Sequence, residues 1–317
     1  MSHPGKFRAL LATARIANVP SVVSNVWVGI AVAAAFQRWE YPGPFLLHTL
    51  LLCLSGICLY IAGNFLNDWH DRDWDAKNRP ERALPSGLFA PGKYLLISII
   101  LGLIGLASAL IVSVVSSVIA LIILILIVIY TRWHKRAVWA VIPMGLCRAF
   151  LPIMGFSAFA AIQPLLGAPV ENTIIVFHAT ALLIYIAALS LGARYESSAN
   201  PSKTALLISK SALVFSGILA AAVWASLSLR SALIGLIPFA VWMTICLTRY
   251  RRPIPVHVSA LLAGIPLLDA IALLAYTRLQ PPLSYPPALQ PYLLACIFIP
   301  FVAFFLGRLL QRVAPAT

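Results

Sequence analysis

Three aspartates at helical spacing are the residues of this sequence best suited to chemistry. Asp68, Asp71 and Asp75 follow a long apolar segment, and residues three or four positions apart share one face of an α-helix. The chain has only nine acidic residues, and five of them fall between residues 68 and 81. Carboxylates on one face repel each other unless cations lie among them. Since Mg²⁺ prefers oxygen ligands and often joins carboxylates to a substrate phosphate, the spacing predicts a magnesium site at these three residues.

The neighbouring polar residues are suited to phosphate binding. Asn64 and Asn67 lie just before or beside the cluster, either as ordinary polar caps or as ligands and their supports. Arg79 and Arg82 follow it at fixed spacing. They could simply mark the side of a membrane, but the guanidinium fork matches phosphate oxygens, which favours contact with a diphosphate.

Long apolar segments must position these residues. The chain is 61% hydrophobic and 10% charged, with a mean hydropathy of +0.94, which is typical of a membrane protein. We therefore expect an all-α, polytopic transmembrane helical bundle of nine to ten spans, formed as a single integral-membrane domain over residues 1–317. The candidate spans are 17–36, 44–66, 93–112, 114–130, 138–162, 173–193, 206–228, 231–249, 256–276 and 290–311.

The basic residues alternate between the two sides of these spans. The net charge is +14, yet the cations are spread over short loops without a contiguous patch and interleaved aromatics, which argues against a nucleic-acid partner. Nineteen Lys and Arg residues fall on one side and three on the other. The positive-inside rule then predicts a multi-pass protein with both termini and the Asp cluster in the cytoplasm. We expect the membrane to be a bacterial inner membrane.

Two motifs resemble those of the UbiA superfamily of intramembrane prenyltransferases. The first is Asn67-Asp68-x-x-Asp71-x-x-x-Asp75, followed by Asn78-Arg79-Pro80-x-Arg82-x-x-Pro85-Ser86-Gly87, with Ala83 in place of a proline. The second is Tyr130-Thr-Arg-Trp-His-Lys135-Arg136, which is similar to the family's YP-x-x-KR element, with Thr131 in place of proline. The continuation of the first motif is especially similar to the branch of chlorophyll synthase and the archaeal geranylgeranylglyceryl phosphate synthases.

The resemblance implies a fold, a reaction and a site. In this family a prenyl diphosphate binds through Mg²⁺ held by two Asp clusters, basic loop residues neutralise the departing diphosphate, and a lipophilic or aromatic acceptor attacks the prenyl group in a cavity open to membrane lipid. The expected metal ligands are Asp68, Asp71 and Asp75. The expected substrate-binding residues are Asn64, Asn67, Arg79, Arg82, Tyr130, Lys135, Arg136, Arg194 and Lys203; for Lys135 and Arg136, a simple topological role is the alternative.

The sequence departs from the family at the second acidic motif. Between residues 192 and 203 only Glu196 is acidic, so the second metal site is incomplete or replaced by cations. The UbiA-like EboC proteins of bacterial gene clusters are the most similar in this respect. The departure keeps a second function open, namely a catalytically reduced membrane protein that binds or translocates a prenylated lipid or pathway intermediate. A secondary transporter is disfavoured, because the two halves show no paired interrupted helices.

Charged residues within apolar segments have two interpretations. Arg148 and Asp269 fall inside predicted spans, where such groups usually face a cavity or one another. They could form a structural pair, Arg148 with Asp269 or with Glu196. Alternatively, Arg148 contacts the diphosphate and Glu196 is the remnant of the second metal site, both as catalytic residues, with Asp269 as a base for the acceptor.

Overall fold

The computed structural model describes residues 5–36, 44–159, 170–196, 202–279 and 290–314, and these contain helices and no strands. Short 3₁₀ turns at Ile16–Asn18 and Val138–Ala140 precede the second and sixth helices. The helices are α1 (Lys6–Thr13), α2 (Val19–Phe36), α3 (Phe45–Asn78), α4 (Pro91–Val112), α5 (Val114–Trp133), α6 (Val141–Ser157), α7 (Val170–Glu196), α8 (Lys203–Leu227), α9 (Leu229–Thr248), α10 (Ile254–Ala263), α11 (Ile265–Leu279) and α12 (Gln290–Leu310).

A helix lies at each of the ten predicted spans. Nine segments of the described chain are long and apolar enough to cross a membrane, with α10 and α11 counted as one broken span. In the tenth, α12, the described apolar run is shorter and covers Ile297–Leu310. The predicted all-α polytopic bundle of nine to ten spans is therefore confirmed.

The helix α3 is long enough to carry the Asp cluster beyond the membrane core. Its 34 residues rise about 51 Å at 1.5 Å per residue, whereas the hydrocarbon core of a bilayer is about 30 Å thick. The helix ends where Arg79 precedes Pro80, because proline disfavours the helical conformation in the residue before it. The last third of α3 is thus a polar extension of a membrane helix, and we call this side of the bundle the acidic end.

Two glycines bring the backbones of α2 and α6 into direct contact. A Cβ atom at Gly29 would lie 1.9 Å from the carbonyl oxygen of Pro152, and one at Gly155 would lie 2.3 Å from that of Val26. Small residues allow this kind of close approach between membrane helices. The contact holds the polar residues of α2 against the middle of α6.

A small separate core fixes the loops at the acidic end. Ala14, Phe65, Leu84 and Tyr94 are buried together and join the N-terminal segment, the end of α3, the loop after it and α4. The Thr13 hydroxyl also hydrogen-bonds the Tyr94 hydroxyl at 2.9 Å. This core fixes the position of the chain on either side of the Asp cluster.

Candidate functional site

The three aspartates lie on one face of α3, as the spacing predicts, and basic side chains converge on them. Asp71 and Asp75 are 5% and 2% exposed, whereas the side chain of neighbouring Asp73 is 86% exposed. Arg82 Nη1 lies 2.9 Å from Asp75 Oδ2 and 3.4 Å from Asp68 Oδ1. One guanidinium thus bridges two of the three carboxylates.

The loop after α5 supplies the cations for the third carboxylate. Lys135 Nζ and His134 Nε2 both lie 3.0 Å from Asp71 Oδ2. The other ring nitrogen of His134 is 3.1 Å from the carbonyl oxygen of Thr131, so the ring is held between the two elements. Lys135 Nζ is also 3.8 Å from the ring centroid of Trp74. The sequence predicts Lys135 as a site residue but gives no signal for His134.

A cavity of about 440 Å³ opens beside this cluster. Its wall at the acidic end is polar and basic, and its deeper wall is mainly apolar. Among the described residues that line it, none is Asp or Glu, so the cavity meets the basic partners of the carboxylates rather than the carboxylates themselves. The polar wall contains Arg15, Asn64, Asn67, Arg79, Arg82, Tyr130, His134 and Arg194, and the apolar wall includes Leu59, Ile123, Ile127, Met144, Leu151, Ile186 and Leu189.

The two asparagines act differently within this wall. Asn67 is buried, and its side-chain nitrogen has no hydrogen-bond partner among the described residues. Such a group is costly in a folded protein unless a ligand satisfies it. Asn64 donates to the carbonyl oxygen of Ala14 at 3.1 Å and so holds the segment that leads to Arg15. Asn67 therefore has the free hydrogen-bonding capacity of a ligand-binding residue, whereas Asn64 also supports the chain.

Arg15 lines the cavity, although the sequence gives no reason to expect it among the site residues. It adopts a left-handed conformation with φ of 47°, which is uncommon for a residue with a side chain. Burial alone would lower its pKa, but electrostatic interactions with Tyr60, Asp68, Tyr130 and Asp71 outweigh this, and the pKa of Arg15 is raised. Arg15 thus combines an unusual backbone conformation with a side chain that stays positively charged at the polar wall.

The remaining predicted basic residues divide into two groups. Arg194 lines the cavity, and its Nη1 donates to the carbonyl oxygens of His134 at 2.7 Å and Ala137 at 3.4 Å. Arg79 is largely exposed but also lines the cavity. Arg136 and Lys203 are exposed, and neither is among the residues that line it.

The structure does not bring Glu196 to the Asp cluster. Glu196 lines a second, much smaller cavity together with Lys210 and His257. The expected second acidic motif, residues 192–203, is only partly visible, because residues 197–201 lie outside the described chain. The interpretation of Glu196 as a remnant metal ligand therefore receives no support from its position.

Arg148 forms neither of the two expected pairs directly. Arg148 is 7% exposed and donates through Nη1 to Ser21 Oγ at 3.1 Å and Asn25 Oδ1 at 3.0 Å. The amide nitrogen of Asn25 in turn donates to both oxygens of Asp269, at 3.0 and 2.9 Å. Asp269 also accepts from Ser24 and from His178 Nε2, and it does not line the cavity. Asn25 thus bridges two opposite charges inside the bundle.

Comparison with known proteins decides the family. The model of the UbiA prenyltransferase family matches residues 22–254, well over half of the chain. The chain belongs to the UbiA prenyltransferase family. Its resemblance to that family in two motifs is confirmed by this wider match.

Curated relatives within the UbiA family match over a limited region. A digeranylgeranylglyceryl phosphate synthase of Methanospirillum hungatei is 36% identical over 86 residues, which are 26% of this chain and 29% of that protein. The chloroplastic chlorophyll synthase of Arabidopsis thaliana is 33% identical over 107 residues, 33% of this chain and 27% of that protein. The chain thus matches less than a third of the length of each of these relatives.

Solved UbiA homologues share the fold over nearly the whole chain. One from Archaeoglobus fulgidus, bound to GPP and Mg²⁺, has a TM-score of 0.55 at 18% identity and covers 96% of this chain and 99% of its own. Another from Aeropyrum pernix K1 has a TM-score of 0.54 at 14% identity, with 93% and 98% covered. These likenesses establish a UbiA fold for the described bundle.

Proposed function

We propose that this UbiA-family protein transfers a prenyl group from a prenyl diphosphate to a lipophilic or aromatic acceptor within the membrane, with Mg²⁺ as cofactor. The observation that carries the proposal is one cavity with a basic, amide-rich wall next to buried carboxylates and an apolar wall below. A prenyl diphosphate has the same division, because its anionic head and its hydrocarbon tail need opposite surroundings. The named activities of the curated relatives, and the GPP and Mg²⁺ bound to one solved homologue, support the same assignment.

The donor set at the acidic end fits magnesium. Asp68, Asp71 and Asp75 share a helical face, and the buried amide of Asn67 lacks a partner. Among the described residues, no group of three or more acidic, His or Cys side chains could hold a metal ion in the present arrangement, in which Arg82 and Lys135 pair with the carboxylates. These three aspartates would hold the ion, which supplies charge neutralisation for the departing diphosphate.

The chain's own residues then perform two tasks, one at each wall of the cavity. Arg15, Arg79, Arg82 and Arg194 at the polar wall bind diphosphate oxygens and offset the charge that develops as the allylic C–O bond breaks. The apolar wall holds the prenyl chain and excludes water, which would otherwise capture the reactive carbon. Tyr130 belongs to the polar wall, with its ring centroid 5.1 Å from that of His134.

Ligand binding requires the ion pairs to exchange partners. Arg82 and Lys135 now neutralise Asp75 and Asp71. With those carboxylates engaged as metal ligands, both side chains would be available to bind the diphosphate. We expect this exchange to place Lys135 on the substrate even though it does not line the cavity described here.

The membrane arrangement belongs to the same proposal. We place both termini and the acidic end in the cytoplasm, in a bacterial inner membrane, and treat residues 1–317 as a single membrane domain. The excess of Lys and Arg on one side of the spans supports this orientation. A water-soluble diphosphate would then reach the basic wall from the cytoplasm.

A second function is favoured by one observation. The second acidic motif has only Glu196, which lies in a separate small cavity. A protein with half of the metal site could bind a prenylated lipid or intermediate and carry it without turnover. The test below separates this alternative from the transferase.

The proposal is tested by measuring diphosphate release in Asp71→Asn and in Asp73→Asn. Membranes that contain each protein are incubated with labelled geranyl diphosphate, Mg²⁺ and a panel of phenolic and lipid acceptors. We expect Asp71→Asn to lower release by about 100-fold or more, a typical loss for one electrostatic group at a reacting centre. Asp73→Asn is the matched control, because its carboxylate is exposed on another face, and it should behave as the wild type.

Two results would contradict the transferase. If the wild type binds geranyl diphosphate but releases no diphosphate with any acceptor, the carrier function is correct. If Asp71→Asn and Asp73→Asn lower release equally, the buried face of the cluster has no special role and the proposed metal site is wrong.

A further inference from the structure

The deep part of the cavity carries a second polar site, formed by Arg148 and Tyr60. Both residues line the cavity, and the Arg148 guanidinium carbon lies 5.1 Å from the Tyr60 ring centroid. Tyr60 lies seven residues before Asn67 on α3, and Arg148 lies seven residues into α6 from Val141. At 1.5 Å per residue, each lies about 10 Å along its helix from that reference residue. In the described chain Arg148 donates hydrogen bonds to Ser21 and Asn25 of α2 and to none of the three clustered aspartates, so this site is separate from the Asp cluster.

The two side chains have unused hydrogen-bond donors. Both hydrogen bonds of Arg148 run through Nη1, and its other N–H groups have no partner among the described residues. The Tyr60 hydroxyl accepts from the side-chain nitrogen of Asn18 at 3.1 Å, and its own proton has no acceptor in the described part of the chain. Because both residues line the cavity, these donors are available to a ligand beside the apolar wall. A carbonyl oxygen, which has two lone pairs and no proton, fits such a pair.

Charge balance decides between a neutral oxygen and an anion. The positive charge of Arg148 is already offset by Asp269 through the Asn25 bridge. A bound carboxylate would leave a net negative charge deep in the bundle, where an uncompensated charge is expensive. A neutral carbonyl keeps the balance and still receives a charge-assisted hydrogen bond.

We infer that Arg148 and Tyr60 bind a neutral carbonyl oxygen of the prenyl acceptor. This inference rests on the proposed function and assigns Arg148 to the acceptor rather than to the diphosphate. The acceptor is then a ring or lipophile with its nucleophilic atom toward the acidic end and its carbonyl toward the deep end of the cavity. Ser21 and Asn25 fix the guanidinium, so they position this site without touching the acceptor.

The inference is tested with three phenols that differ only in the para group. The probes are 4-hydroxyacetophenone, 4-hydroxybenzoate and 4-ethylphenol, which carry a ketone, a carboxylate and a hydrocarbon. Their dissociation constants are measured by saturation-transfer NMR on the full chain in nanodiscs, with Mg²⁺ and the non-transferable analogue geranyl thiolodiphosphate present. We expect the ketone to bind at least about tenfold more tightly than the other two, since a hydrogen bond to a charged group contributes about that much.

Variants identify the residues responsible. Arg148→Gln should weaken ketone binding about tenfold or more, and Tyr60→Phe about threefold, while the affinity for 4-ethylphenol changes little. Arg249→Gln removes an exposed positive charge at the end of α9 and serves as the charge-matched control, with wild-type affinity expected. If Arg148→Gln fails to fold, Tyr60→Phe still decides, because it removes one hydroxyl only.

Three outcomes would overturn the inference. They are tightest binding by 4-hydroxybenzoate, no measurable binding of the ketone, and equal ketone binding by wild type and both variants. If Arg148→Gln lowers the affinity for geranyl diphosphate more than about threefold, the inference is also overturned, because Arg148 then binds the diphosphate. Failure of the proposed function looks different, because the wild type would then not bind or turn over geranyl diphosphate with Mg²⁺.

Discussion

The contact between α2 and α6 leaves no room for one additional methyl group. In Gly29→Ala the new Cβ would lie 1.9 Å from the Pro152 carbonyl oxygen and 2.8 Å from the Phe156 nitrogen. Both are backbone atoms, so a rotamer change cannot relieve the overlap. The helices must separate by about 1 Å or more to restore ordinary van der Waals contact.

The cost has two parts. Overpacking of a close contact typically costs about 1–3 kcal/mol. The same separation stretches the hydrogen bonds of Arg148 to Ser21 and Asn25, now 3.1 and 3.0 Å, beyond useful length. Hydrogen bonds to a charged group contribute about 1.5–3 kcal/mol each, so we expect Gly29→Ala to lower the free energy of unfolding by about 3 kcal/mol or more.

The assay is reversible unfolding in mixed micelles, followed by tryptophan fluorescence. Gly92→Ala is the matched control, because a Cβ there meets nothing within 4 Å and alanine is the better helix former in the first turn of α4. It should leave stability unchanged or raise it by up to about 1 kcal/mol. If the free energy of unfolding of Gly29→Ala lies within about 0.5 kcal/mol of that of the control, the backbones of α2 and α6 are not in the close contact described above.

Three further changes have definite expected outcomes. Asn64→Ala releases the Ala14 carbonyl and should weaken geranyl diphosphate binding by about 1 kcal/mol, or fivefold, as measured by equilibrium binding; unchanged affinity would show that Arg15 needs no such support. Tyr94→Phe removes the buried bond to Thr13 and should lower the free energy of unfolding by about 1 kcal/mol, with faster proteolysis before residue 15; equal proteolysis of the two proteins would contradict this. Arg82→Gln should strengthen the binding of Mg²⁺ alone, seen by calorimetric titration, while it lowers diphosphate release; weaker Mg²⁺ binding would refute the ion-pair exchange.

The sequence predicted what depends on local spacing. The ten apolar segments correspond to helices because each is long enough to decide its own secondary structure. Asp68, Asp71 and Asp75 share a face because that face follows from helical geometry, and Arg82 meets them because the intervening loop is short.

What the sequence could not predict depends on contacts between distant segments. His134 meets Asp71 across 63 residues, and Asn25 joins Arg148 to Asp269 across 123 and 244 residues. No spacing rule connects such positions. The unusual backbone at Arg15 likewise arises from the packing of its segment against α3 and α4. A useful signal was available for Asn25 alone, since a polar residue within an apolar segment has to find a partner.

The ion pairs at the acidic end have a consequence for how ligands enter. Mg²⁺ by itself would have to displace Arg82 and Lys135 from their carboxylates, and neither side chain would gain a new anionic partner. Pyrophosphate by itself would take Arg82 and Lys135 as its partners and leave the carboxylates of Asp75 and Asp71 without a positive charge beside them. Arriving together, the two satisfy every charge at once, so each must strengthen the other's affinity by the same factor. On the proposed function, the protein therefore binds Mg²⁺ and the diphosphate together more tightly than it binds either one alone.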